Sequence, residues 1–84
     1  MAWSDIQVSV RGVSGDTVTL SATNPNNHPE TARVAVAVTL FGGVNLTLQS
    51  GNLTFGANET LLVPLQAPSA ILSIDDAPEP LPPV

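Results

Sequence analysis

Apolar and polar side chains alternate with period two along most of the chain, and turn residues interrupt the alternation at intervals of about ten residues. Residues 4–11 set Ile6, Val8 and Val10 on one face and Asp5, Gln7, Ser9 and Arg11 on the other, the signature of a half-buried strand. Gly12 to Asp16 supply turn chemistry, and residues 17–23 resume the pattern with Val18, Leu20 and Ala22 facing in, so the first two strands are predicted to form a hairpin. Pro25 and Pro29 have no ladder donor, and with Asn24, Asn26 and Asn27 they make the next stretch a loop. Residues 31–41 carry the strongest strand signal, with Ala32, Val34, Val36, Val38 and Leu40 on one face and a β-branched run that favours strand over helix. Gly42-Gly43 permits a tight turn into a returning strand with Val44, Leu46 and Leu48 inward. A short strand around Leu53 and Phe55 follows, then one with Leu61, Val63 and Leu65 inward, where Pro64 demands an edge or a bulge. A last strand spans 70–74.

Together these elements predict an all-β fold: an antiparallel β-sandwich of about seven short strands, on the immunoglobulin-like plan. The sandwich domain is expected over 1–74. Residues 75–84, with two Asp, one Glu and four Pro, are expected to leave it as an acidic, proline-rich extended tail of polyproline character.

Composition sharpens this picture. With 84 residues, one compact domain is the limit, which excludes large enzymes. Only 11% of residues are charged, but 43% are apolar and regularly spaced, so the chain is expected to fold. The net charge of -5 argues against a non-specific grip on nucleic acid or anionic lipid. No run of 18 apolar residues and no signal-peptide pattern occur, so no membrane association is expected. Both a protein made in the cytoplasm and a domain cut from a secreted chain fit these facts.

Candidate chemistry is sparse. The chain has no Cys and no Lys, and His28, in a loop between two prolines, is the sole base near neutral pH. No nucleophile elbow accompanies it, so the expectation is a solvated loop residue and no enzyme activity. One His, no Cys and scattered carboxylates give no zinc set, and Asp75-Asp76-x-x-Glu79 lacks the spacing and central Gly of a calcium loop, so no metal or other cofactor is expected. Gly42-Gly43 leads into a strand and not into a helix N-terminus, which removes it as a phosphate cradle. Asn45, Asn52 and Asn58 each begin an Asn-x-Thr sequon. Glycosylation there is conditional on secretion, and the polar face of alternating strands already accounts for the pattern. Trp3 fits either a plug at one end of the sandwich or an anchor in a partner's pocket.

Thr23-Asn24 ending a strand, the Val-rich run from Val34 to Leu40, and the turn-plus-strand Gly56-Ala57-Asn58-Glu59-Thr60-Leu61-Leu62-Val63 resemble the small cysteine-free immunoglobulin-like modules that pack on larger assemblies, bacteriophage capsid decoration proteins among them. The chain departs from antibody domains in having no Cys pair and no mid-chain Trp. The resemblance implies a non-catalytic structural module: a virion decoration or cement protein, made in the host cytoplasm and docked on a capsid subunit or another protein partner, as a homo-oligomer or multi-copy assembly. An extracellular adhesin, pilus or surface-layer domain is the alternative, and a small hydrolase using His28 a weaker one. Burial and ordering entropy nearly balance in so small a domain, so extra burial against neighbours would stabilise it. The expected contacts are uncharged strand edges between Ala35 and Glu59, together with Trp3 and the tail residues Pro80, Leu81, Pro82, Pro83 and Val84.

Overall fold

The computed structural model describes residues 2–84. A 3-10 turn, Trp3–Asp5, precedes eight strands: β1 Gln7–Ser14, β2 Thr17–Thr23, β3 Glu30–Leu40, β4 Asn45–Gln49, β5 Leu53–Phe55, β6 Thr60–Gln66, β7 Ile71–Ile74 and β8 Glu79–Leu81. All pairings are antiparallel. The first sheet has the order β1-β2-β6. In the second, β3 is the hub. Val38 pairs with Leu46 of β4 on one side and Ile74 of β7 on the other, while β5 and β8 pair with its N-terminal half. The chain crosses between sheets after β2, β5 and β6.

Period-two alternation becomes burial where both sheets overlap. Val18, Leu20 and Ala22 of β2 and Ala32, Val34, Val36, Val38 and Leu40 of β3 are buried in one cluster with Phe55, Val63, Leu65 and Ile71. The two central strands therefore carry the core, as their patterns predict. Edge strand β1 does not. Val10 and Val13 pair with core residues Leu20 and Val18, which sets them on the inner face, yet they are 37% and 44% exposed. A bulge at Arg11 interrupts the β1–β2 register.

The tail differs from its sequence expectation. Residues 75–84 do not simply depart: β8 returns to β3, pairing Glu79 with Ala35, Pro80 with Val34 and Leu81 with Arg33. Pro80 and the polyproline signature of the tail hid this eighth strand. Pro80 fits because Val34 spends both its backbone groups on Ser50: its N–H donates to Ser50 Oγ (2.9 Å), and its C=O accepts from the Ser50 N–H (2.9 Å). No ladder bond is asked of Pro80, the condition under which an edge strand tolerates proline.

The uncharged stretch between Ala35 and Glu59 is likewise less open than the sequence suggests, because its longest strand, β3, is paired on both sides. The outer strands carry other defences against edge pairing: the Arg11 bulge in β1, Pro64 in β6, Pro80 in β8 and the break between β4 and β5.

Candidate functional site

The two ends of the sandwich are built differently. At one end Asn24, fully buried, closes the loop between β2 and β3. Its Nδ2 donates to the His28 and Gly56 carbonyls (2.9 and 3.1 Å), and its Oδ1 accepts from the Asn26 N–H (3.0 Å). The Asn24 N–H donates to the Glu59 carbonyl, so one residue ties this loop to the turn before β6. Asn58 holds a left-handed φ of 58° in that turn, a conformation Asn tolerates better than most residues. His28 Nδ1 lies 3.3 Å from Glu30 Oε2. The same Nδ1 lies 3.2 Å from the Pro29 carbonyl oxygen.

Trp3 is half-buried and packs against the core, on a turn that rests on β3 and β8. Of the tail residues, Pro80 and Leu81 are half-buried within β8, while Pro82, Pro83 and Val84 are exposed. Pro82 and Val84 are held by their own domain. Arg33 Nε donates to the Pro82 carbonyl (2.9 Å) and its Nη1 to Gln49 Oε1 (3.2 Å). The Asn52 amide both donates to the Val84 carbonyl and accepts from the Val84 N–H, each at 2.9 Å. The segment thus runs from the β8 edge towards the β4–β5 edge, and Asn52, one of the three sequon residues, is its far anchor.

At the opposite end three turns are joined by backbone hydrogen bonds. The Ala67 N–H donates to the Asp16 carbonyl (2.7 Å), Ile71 N–H to Gly15 (2.9 Å) and Phe41 N–H to Ala70 (3.1 Å). Gly42 and Gly43 both have positive φ, 100° and 88°, which is why this hairpin needs that pair. This end leaves Phe41 63%, Val44 55% and Leu72 54% exposed, with Val13 close to the Gly15 turn. Two carboxylates flank it. Asp16 accepts from Gln66 Nε2 (3.0 Å) and Thr17 Oγ1 (3.1 Å). Asp75 accepts from Thr39 Oγ1 (2.7 and 2.9 Å), Ser73 Oγ (3.2 Å) and Asn45 Nδ2 (3.4 Å). The Gln66 and Thr17 donors hold Asp16 below the usual carboxylate range, and those of Thr39, Asn45 and Ser73 do the same for Asp75. Every one of these donors is neutral.

Sequence reasoning missed this surface. Phe41 and Val44 read as the ends of two strands, and Leu72 as a member of the last one. A signal was present in the Gly pair flanked by Phe and Val, because a hairpin tip has little to pack on.

A groove of about 420 Å³ lies beside β3 and the segment linking β7 to β8, lined by Ala35, Ala37, Thr47, Asp76, Ala77 and Glu79. It offers methyl groups and rim carboxylates. Among the described residues no group of three or more His, Cys, Asp or Glu could hold a metal ion, and no helix is long and apolar enough to cross a membrane. Comparison with known families, with characterised proteins and with solved structures finds no match to this chain.

Proposed function

We propose that the chain is a non-catalytic structural module that docks on a larger protein assembly. The observation that carries this reading is the set of large apolar side chains that an 84-residue domain leaves exposed: Phe41, Val44, Leu62, Leu72 and Val84 are each more than half accessible. A small core gains from further burial, and exposed apolar groups concentrated at a tip are the usual anchors of protein contacts. The immunoglobulin-like plan is supported by a chain that crosses repeatedly between two sheets, in the orders β1-β2-β6 and β4/β5-β3-β7/β8. The particular form, a decoration or cement protein of a phage head with a capsid subunit as partner, rests on the sequence-level resemblance.

The native mass, alone and with co-purifying material, tests the reading. A chain that is monomeric in isolation and recovered in many copies on a large particle supports it. Measurable turnover that falls sharply in His28→Ala would overturn it in favour of the hydrolase. One observation favours the adhesin or pilus alternative, in which a partner adds a strand: the inward-facing Val10 and Val13 are accessible along an unpaired edge. Strand addition there predicts a bound peptide that protects the β1 amides from hydrogen exchange.

A further inference from the structure

We propose that the end formed by the 15–16, 41–44 and 67–70 turns is the docking surface, and that its occupant is a different protein chain offering an apolar pocket flanked by Lys or Arg. This rests on the structural-module reading and names the surface and the chemistry of the partner. Four of the seven large apolar side chains that stand exposed, Val13, Phe41, Val44 and Leu72, lie on or beside these turns. The hydrogen bonds Ala67–Asp16, Ile71–Gly15 and Phe41–Ala70 make the turns one continuous surface. Pro68, Ser69 and Ala70 add exposed, uncharged area to it.

Charge selects the occupant. Asp16 stands in one of the turns, and Asp75 sits behind the patch, its carboxylate bonded to Asn45 and Ser73, the residues next to Val44 and Leu72. Both are fixed in place by amide and hydroxyl donors, so their orientation is set while their charge is left uncompensated. Residues 13–17, 39–45 and 66–75 contain no Lys or Arg. Arg11, beside Val13, is the nearest cation, and an end-to-end pairing of two copies would set the Asp16 and Asp75 carboxylates of each against those of the other, which opposes association. An anionic bilayer meets the same repulsion. A basic-rimmed pocket that accepts Phe41 satisfies both the apolar centre and the acidic flanks, the usual anatomy of a small interface.

The test places p-benzoylphenylalanine at position 41, and in separate variants at 3 and 84, in the full chain produced in its own cells. Photocrosslinking from 41 to one other protein, through a peptide that carries Lys or Arg, is expected. The yield should drop about tenfold in Asp16→Asn/Asp75→Asn and in high salt, since flanking charges govern encounter and its salt dependence. Phe41→Ser, tested by competition against the unlabelled parent chain, should lose binding while its urea midpoint is unchanged, because Phe41 is mostly exposed already. Crosslinks confined to 3 or 84 would overturn this surface and leave the docking reading intact. Absence of crosslinks from every position would overturn both. Crosslinks from 41 to a second copy, or cosedimentation with phosphatidylglycerol vesicles that Phe41→Ser abolishes, would also overturn the proposal.

Discussion

Asn24 illustrates how much one polar side chain does in a core this small. It is buried between the β2–β3 loop and the turn before β6, and its amide bonds to both. Asn24→Ala would leave the carbonyls of His28 and Gly56 and the N–H of Asn26 without those partners. The expected cost is about 3 kcal/mol, given 1–3 kcal/mol for each buried group left unsatisfied and partial relief by water. A fall in the urea midpoint at unchanged m-value checks it. Asp16 and Asp75 act in the same way at the surface, and their effect is read through pH. Hydrogen bonds to neutral donors lower both folded-state values below 3.8, so as pH falls the unfolded chain binds protons first. Their contribution is present above that value and is lost as pH drops through the lower folded one. Thermal midpoints measured from about pH 5 downward should therefore fall. In Asp16→Asn/Asp75→Asn that slope should be shallower, and an unchanged slope would remove the two carboxylates from the account.

Strand β8 and the segment after it show what an element gains from context. Three register pairs with β3, the Arg33 grip on Pro82 and the two-bond clamp of Asn52 on Val84 make this stretch part of the domain. Removal of residues 79–84 exposes one edge of β3 and deletes these bonds, while it frees only six residues from ordering. The expected outcome is a lower stability, because these hydrogen bonds and the half-buried contacts of Pro80 and Leu81 are lost together. Both the urea midpoint and the m-value should decrease, since less surface is exposed on unfolding. A truncated chain with the parent's stability would mean that residues 79–84 make no contribution to the fold. Strands β2 and β3 were legible in the sequence because burial on one face imposes period two, and a slip of one residue would reverse every side chain. Strand β8 was not, because its place depends on Val34 being satisfied by Ser50, a relation between residues 16 apart in the chain that no local pattern carries. The exposed tip escaped notice for a related reason: alternation tells which face a residue occupies but not where the opposite sheet stops.

At the scale of the whole molecule, charge and apolar surface are partitioned. Seven carboxylate residues face two arginines, and Arg33 spends its guanidinium on a backbone carbonyl and an amide, with no carboxylate among its described bonds. The His28–Glu30 ion pair lies in a loop at the end remote from Phe41. A net charge of -5 on so small a domain adds mutual repulsion among carboxylates, which compaction brings closer together. Screening should relieve it. Raising NaCl from about 10 mM to 0.3 M shortens the Debye length from roughly 30 Å to under 8 Å, well inside the dimensions of the domain. A gain of about 0.5 kcal/mol then corresponds to a rise in Tm of about 2–4 °C for a domain of this size. Circular-dichroism melts at the two salt concentrations check it, and a fall in Tm would show that attractive pairs outweigh the repulsion. Docking through the Phe41 end should respond in the opposite sense, because the proposed contacts join Asp16 and Asp75 to cations. Salt should strengthen the fold while it weakens the interface, so that a loss of partner binding on adding salt cannot be attributed to unfolding.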